Sequence, residues 1–180
     1  ALTYPLLRQY AHKIGADFHI IDQRKSPHLP PVYEKLQIRE LAAERGDDWA
    51  IYIDSDALVH PDMYDVTDHL SMDTVLHFTN DLAGNRWRYD DYFRRDGRHI
   101  GSCNWFTMAS RWCLDLWSPL HDITPEHAIE HNIFPTQTER NSVVTAAHLI
   151  DDYILSRNIA RFGFKFATFR GIQAELGDRG

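Results

Sequence analysis

The spacing of apolar residues changes along the chain, and each change marks an element. Leu6, Leu7, Tyr10, Ala11 and Ile14 fall at helical intervals that stop at Gly15. Phe18-His19-Ile20-Ile21 then reads as a short buried strand. Pro27, Pro30 and Pro31 forbid regular structure in the loop that follows. From Val32 to Glu44 the period is helical again, with Tyr33, Leu36 and Leu41 on one side, and Gly46-Asp47-Asp48 ends it. Trp49-Ala50-Ile51-Tyr52-Ile53 is the clearest strand, a run of strand formers bounded by turn formers. Strand, helix and strand in this order form a βαβ pattern, which predicts a parallel sheet covered by helices.

Further strands are predicted at Thr74–Thr79 and Asn104–Ala109, separated by a polar, irregular stretch from Asn80 to Gly101. Arg111–Trp117 and Pro125–His131 read as short helices. The longest helix is expected from Ser142 to Arg161, with Val143, Ala147, Ile150, Ile154 and Ile159 toward the core. Phe164–Phe169 alternates as a last strand. There is no internal repeat. The pattern is that of one α/β domain spanning residues 1–180, with a mixed, mostly parallel sheet flanked by helices.

Composition narrows what such a domain does. With 43% hydrophobic and 25% charged residues, the chain has the makings of a core. The formal charge of −7 argues against a nucleic-acid binder. Among the acids, 19 Asp outnumber 7 Glu, and 15 Arg outnumber 4 Lys. Asp suits loops and hard cations, and Arg suits phosphate. No apolar run approaches the roughly 20 residues that span a bilayer, so no membrane segment is expected. Cys103 and Cys113 are too few for a disulfide framework, and location stays open, cytoplasmic if the chain is complete.

The candidate chemistry centres on Asp54-Ser55-Asp56, directly after the strand Trp49–Ile53. In open α/β sheets, ligands bind beyond the carboxyl ends of strands. Two carboxylates one residue apart are suited to share a divalent cation and leave positions for phosphate oxygens. The bland reading is a turn whose Asp side chains cap neighbouring amides.

The stretch from Tyr33-Glu34-Lys35-Leu36 to Trp49–Ile53-Asp54-Ser55-Asp56-Ala57-Leu58-Val59 resembles the central motif of GT-A nucleotide-sugar glycosyltransferases. In these a helix bearing a Lys leads to a strand ending in Asp-x-Asp. Tyr10-Ala11-His12 and Gly15-Ala16-Asp17 resemble the region before their second strand. Asp151-Asp152-Tyr153-Ile154-Leu155-Ser156 is similar to the Asp-Gln-x-x-Leu-Asn helix start of glycogenin-like retaining members, and Gly101-Ser102-Cys103-Asn104 to their sugar-pocket loop.

The resemblance implies a single Rossmann-like GT-A domain and a transferase moving a sugar from a UDP- or GDP-sugar to a glycan or other hydroxyl acceptor, with retention. Asp54 and Asp56 would hold Mn²⁺ or Mg²⁺ on the donor diphosphate. Lys35, Ser55 and Asn104 would belong to the donor site. Asp151 or Asp152 would stand beside the transferred sugar as the catalytic acids. The chain departs from the pattern in three ways: it starts after the family's first nucleotide-binding strand, it has no histidine after His148, and Trp105 follows Asn104. These departures keep a catalytically silent nucleotide-sugar or glycan module as the alternative. Haloacid-dehalogenase-type phosphatases also place Asp-x-Asp after a strand, but Leu58 stands where they carry Thr or Val.

Three other groupings carry weaker chemistry. His127-Ala128-Ile129-Glu130-His131 matches a zinc pattern, though in a short surface helix after Thr124-Pro125. His148 and Asp152 are one helical turn apart. Arg86-Trp87-Arg88-Tyr89-Asp90-Asp91-Tyr92-Phe93-Arg94-Arg95 interleaves bases with aromatics, which suits a mobile acceptor loop or a solvated surface.

Overall fold

The computed structural model describes residues 2–60, 62–78, 105–132 and 150–177. Helix α1 (Tyr4–Lys13) takes Pro5 in its first turn, where a missing N–H costs nothing. A 3₁₀ segment, Pro31–Gln37, runs directly into helix α2 (Ile38–Arg45). Gly46 ends α2 at φ +71°, and its N–H closes the last turn on the Ala42 carbonyl at 3.0 Å. Glycine reaches this left-handed conformation without a Cβ clash, which swings the chain into strand β1 (Trp49–Ile53). Strands β2 (Thr74–His77) and β3 (Phe106–Ser110) follow. A one-turn helix α3 (Pro125–His127) continues as a π turn over Ala128–Asn132. Helix α4 (Ile150–Phe162), strand β4 (Lys165–Thr168) and helix α5 (Phe169–Gly177) complete the order.

The described strands form one mixed sheet in the order β1-β3-β2-β4. β3 is antiparallel to both β1 and β2, whereas β2 and β4 are parallel. The domain is therefore α/β, but the expected mostly parallel sheet is corrected to one that is mostly antiparallel among the described strands. The cause is β3, which returns between β1 and β2 and reverses both of its pairings. Phe18–Ile21 is a second correction. It joins no ladder among the described residues, and Phe18 packs instead on Tyr4 of α1. A strand is defined by its partner, so an apolar run alone does not make one.

Strand alternation sorts the core into two layers. Val75 and Ala109 point to a face covered by Ile38, Leu116, Trp117, Ile150, Ile154 and Ile159. Leu76, Phe106 and Met108 point to the other, where Val66, Phe169 and Ile172 pack. Helices α2 and α4 thus cover one face and α5 the other. Helix α5 has no counterpart among the sequence expectations. Thr168 starts it by accepting the Gly171 N–H on Oγ1 at 3.0 Å, so the alternation ends one residue before Phe169. The expected helix from Ser142 is described from Ile150 onward, and there Ile150, Ile154 and Ile159 are buried as expected. Val143 and Ala147 lie outside the described residues. No helix among the described residues is long and apolar enough to cross a membrane.

Helix α4 is locked to the layer beneath it by one polar side chain. The buried Asn158 amide donates to the carbonyls of Leu116 at 3.0 Å and Ser118 at 2.7 Å, at the end of the 3₁₀ turn Leu114–Trp117. Those carbonyls have no helical partner of their own to replace it. Asn158→Leu keeps the volume and removes both donors. It should lower unfolding free energy by about 1–3 kcal/mol, read as a shift in the denaturant midpoint at unchanged slope.

Candidate functional site

The site is built where three distant segments meet at the carboxyl end of β1. The first is the 3₁₀ segment Pro31–Gln37, which buries two consecutive charged residues, Glu34 and Lys35. Glu34 turns back on the preceding loop. Its carboxylate accepts the backbone N–H of Lys25 at 3.0 Å, that of Ser26 at 3.0 Å and the Gln37 amide at 2.7 Å. Burial alone would raise the Glu34 pKa, but these donors outweigh it and hold the carboxyl below its ordinary value.

With Glu34 spent on the loop, Lys35 extends toward the sheet. Its ammonium lies 2.6 Å from Asp151 Oδ2 and 3.3 Å from Asp54 Oδ1. The side chains of Lys35 and Asp151 are only 8% and 6% exposed, against 29% for Asp54. Burial works against the ammonium, yet Asp151 and Asp54 more than offset it, and the Lys35 pKa is raised. Lys35 is therefore a buried cation held charged between two carboxylates, with Asp152 adding to the same field.

Asp54 is fixed by the strand it ends. Its N–H donates to the Trp105 carbonyl at 2.8 Å, prolonging the β1–β3 ladder by one bond. Its own carbonyl accepts the Ala57 N–H at 3.0 Å, closing a turn that contains Ser55 and Asp56. The Thr3 hydroxyl, just ahead of α1, donates to the Ser55 carbonyl and ties that helix to the turn. Within the turn Asp54 is half-buried, while Ser55 and Asp56 are exposed. The bland reading of a self-capping turn does not account for Asp54: its side chain meets Lys35 and the Tyr52 hydroxyl.

Lys35, Asp54 and Asp151, singled out from separate parts of the sequence, are thus brought into contact. Asp152 follows Asp151 on α4 and is partly buried. Tyr52 is the residue that sequence reasoning missed. Its hydroxyl donates to Asp54 Oδ1, and its ring lies 4.9 Å from the Lys35 ammonium. Burial, followed by the Asp54 charge, pushes the phenol far above its ordinary range, so it remains a donor. The signal was the strand period, which puts residues 52 and 54 on one side.

Hard divalent cations take oxygen ligands of the kind this turn carries. Such ions accept few protein ligands when phosphate or water fills the rest. Among the described residues no group of three or more His, Cys, Asp or Glu gathers to hold a metal. The zinc pattern loses its platform: Ala128–Asn132 is a π turn, whose longer repeat disturbs the i, i+4 alignment of a regular helix. His127 is exposed, its N–H capped by Thr124 Oγ1 at 3.1 Å. Asn104 with Gly101–Cys103, His148, and Arg86–Arg95 lie outside the described residues. Comparison with protein-family models, curated proteins and solved structures finds no match.

Two measurements test this arrangement. Lys35→Met strands two carboxylates, one of them buried, and should cost about 3–5 kcal/mol of stability. Combining it with Asp151→Asn should cost less than the sum of the two single changes, by roughly 0.5–3 kcal/mol in a double-mutant cycle.

Glu34 makes a separate, pH-dependent contribution. Because its folded pKa is depressed, its stabilisation is full above the ordinary value of 4.5 and fades as pH falls below it, through the folded value. Glu34→Gln should therefore destabilise by about 1–3 kcal/mol at neutral pH. The gap to wild type should narrow in acid unfolding curves.

Proposed function

We propose that this chain is a metal-dependent glycosyltransferase domain that moves a sugar from a nucleotide-diphosphate sugar to a hydroxyl acceptor with retention. The observation that supports it is the convergence of Lys35, Asp54 and Asp151. The glycosyltransferase resemblance assigns roles to these three residues, and the closest pair joins positions 116 apart in sequence. Unrelated turn and helix-surface residues have no reason to meet in a buried ion cluster.

On this reading, Asp54 and Asp56 hold Mn²⁺ or Mg²⁺ at the donor diphosphate, with Ser55 in the same turn and Asn104 completing the donor site. The cation, when bound, offsets the charge that develops on the departing diphosphate. Lys35 joins the two acids, lying 2.6 Å from Asp151 and 3.3 Å from Asp54. Asp151 and Asp152 present negative charge toward an oxocarbenium-like transition state at the transferred sugar. The Rossmann-like GT-A architecture belongs to the same proposal, which the mixed sheet with helices on both faces suits.

One observation favours the alternative of a silent binding module. Asp151 is almost fully buried and already committed to Lys35, which leaves it little freedom to engage a sugar.

Calorimetric titration with UDP-, GDP- and ADP-sugars, with and without Mn²⁺, separates the readings. For the transferase, binding requires Mn²⁺, weakens at least about tenfold in Asp56→Asn, and is accompanied by slow donor hydrolysis. Metal-dependent binding with no turnover points to the module. Cleavage of an aryl phosphate without nucleotide binding would instead establish the phosphatase and end the transferase proposal.

A further inference from the structure

We infer that Tyr52 is a positioning residue for the cation, an inference that rests on the metal-dependent reading of Asp54 and Asp56. Two donors converge on a single oxygen of Asp54: the Tyr52 hydroxyl donates to Oδ1, and the Lys35 ammonium stands 3.3 Å from the same atom. A carboxylate with one oxygen claimed twice is restrained at that oxygen, and on the metal-dependent reading Oδ2 would be the atom offered to the cation. The orientation of Asp54 would thus be restrained before any ion arrives.

The backbone supports the phenol as firmly as the phenol supports Asp54. Tyr52 lies inside β1, in register with the fully buried Thr107 of β3. The Asp54 N–H bond to Trp105 extends the same ladder past the strand end. The Tyr52 ring packs with the core layer beneath α2 and α4 and stands 4.9 Å from the Lys35 ammonium. Strand, ring and ammonium together leave the hydroxyl little choice of acceptor. Lys35 is divided between Asp54 and Asp151, whereas the Tyr52 hydroxyl serves Asp54. The phenol is thus the donor more specific to the cation site.

Partners that orient a metal ligand typically contribute 10–100-fold to metal affinity, without touching the metal. Tyr52→Phe is the decisive variant, because it keeps the ring over Lys35 and deletes only the hydroxyl. The experiment titrates Mn²⁺ into the protein, alone and with UDP or GDP, and follows the paramagnetic resonance signal of the free ion. Thermal unfolding of each variant is recorded alongside. Tyr10→Phe is the control, since it also removes a phenol hydrogen bond, to the Tyr64 carbonyl at 3.2 Å, from helix α1 rather than the sheet.

The inference expects Mn²⁺ affinity to fall roughly 10–100-fold in Tyr52→Phe and to stay at the wild-type value in Tyr10→Phe. Wild-type affinity in Tyr52→Phe overturns the positioning role and leaves the metal reading standing. An equal loss in both variants also overturns it, by assigning the effect to general loosening. If the wild-type chain takes up no Mn²⁺ with or without nucleotide, the metal reading falls first and this inference with it.

Discussion

A buried ammonium needs partners, and the structure around the site follows from that requirement. Lys35 is charged and nearly inaccessible, a state whose desolvation cost is several kcal/mol unless opposite charges stand close by. Asp151 and Asp54 meet the need, but they come from the first turn of α4 and from the residue after β1. Satisfying one side chain therefore fixes three segments against each other. Such a cluster adds less to net stability than its Coulomb attraction implies, because the ions were well solvated before folding. What it contributes here is definition: other packings of α4 on the sheet would leave a charge unpaired.

The rest of the molecule holds this cluster in place. Glu34 anchors the 3₁₀ segment to the loop before it, so the backbone carrying Lys35 does not drift. Asn158 fastens α4 two helical turns beyond Asp151. Thr3 and the apolar packing of Leu7 with Val59 hold α1 against the turn that presents Asp56. Each is a directional or tightly packed contact, and each bears on a different member of the site. The site is buried where Lys35 and Asp151 meet and open where Asp56 is exposed.

What was legible in the sequence was local. Strand β1 announced itself by composition and turn boundaries, and Asp54 and Asp56 by their place after it. The burial of Ile150, Ile154 and Ile159 followed from helical period. What was hidden depends on partners remote in the chain. An apolar strand carries no mark of its neighbour's direction, so nothing in Phe106–Ser110 revealed that β3 reverses both of its pairings. Phe18–Ile21 has the composition of a strand and lacks only a ladder. The burial of Lys35 was hidden for the same reason, because a helix lysine is solvated or buried according to what faces it, and Asp151 lies 116 residues away. Tyr52 looked like any aromatic in a strand until its hydroxyl met Asp54.

The acidic composition also gains a location. Among the described residues, one ammonium shared by Asp54 and Asp151 leaves negative charge at the end of β1, and the exposed Asp56 adds to it. A diphosphate approaching that surface alone meets repulsion, strongest at low ionic strength where screening is weakest. A divalent cation reverses the local sign and turns the carboxylates from an obstacle into ligands. The residues that repel a bare nucleotide would, on the proposed reading, accept a metal-bound one. On the proposed reading, the metal requirement thus follows from the buried lysine: with two acids to serve, it has no charge left to attract phosphate.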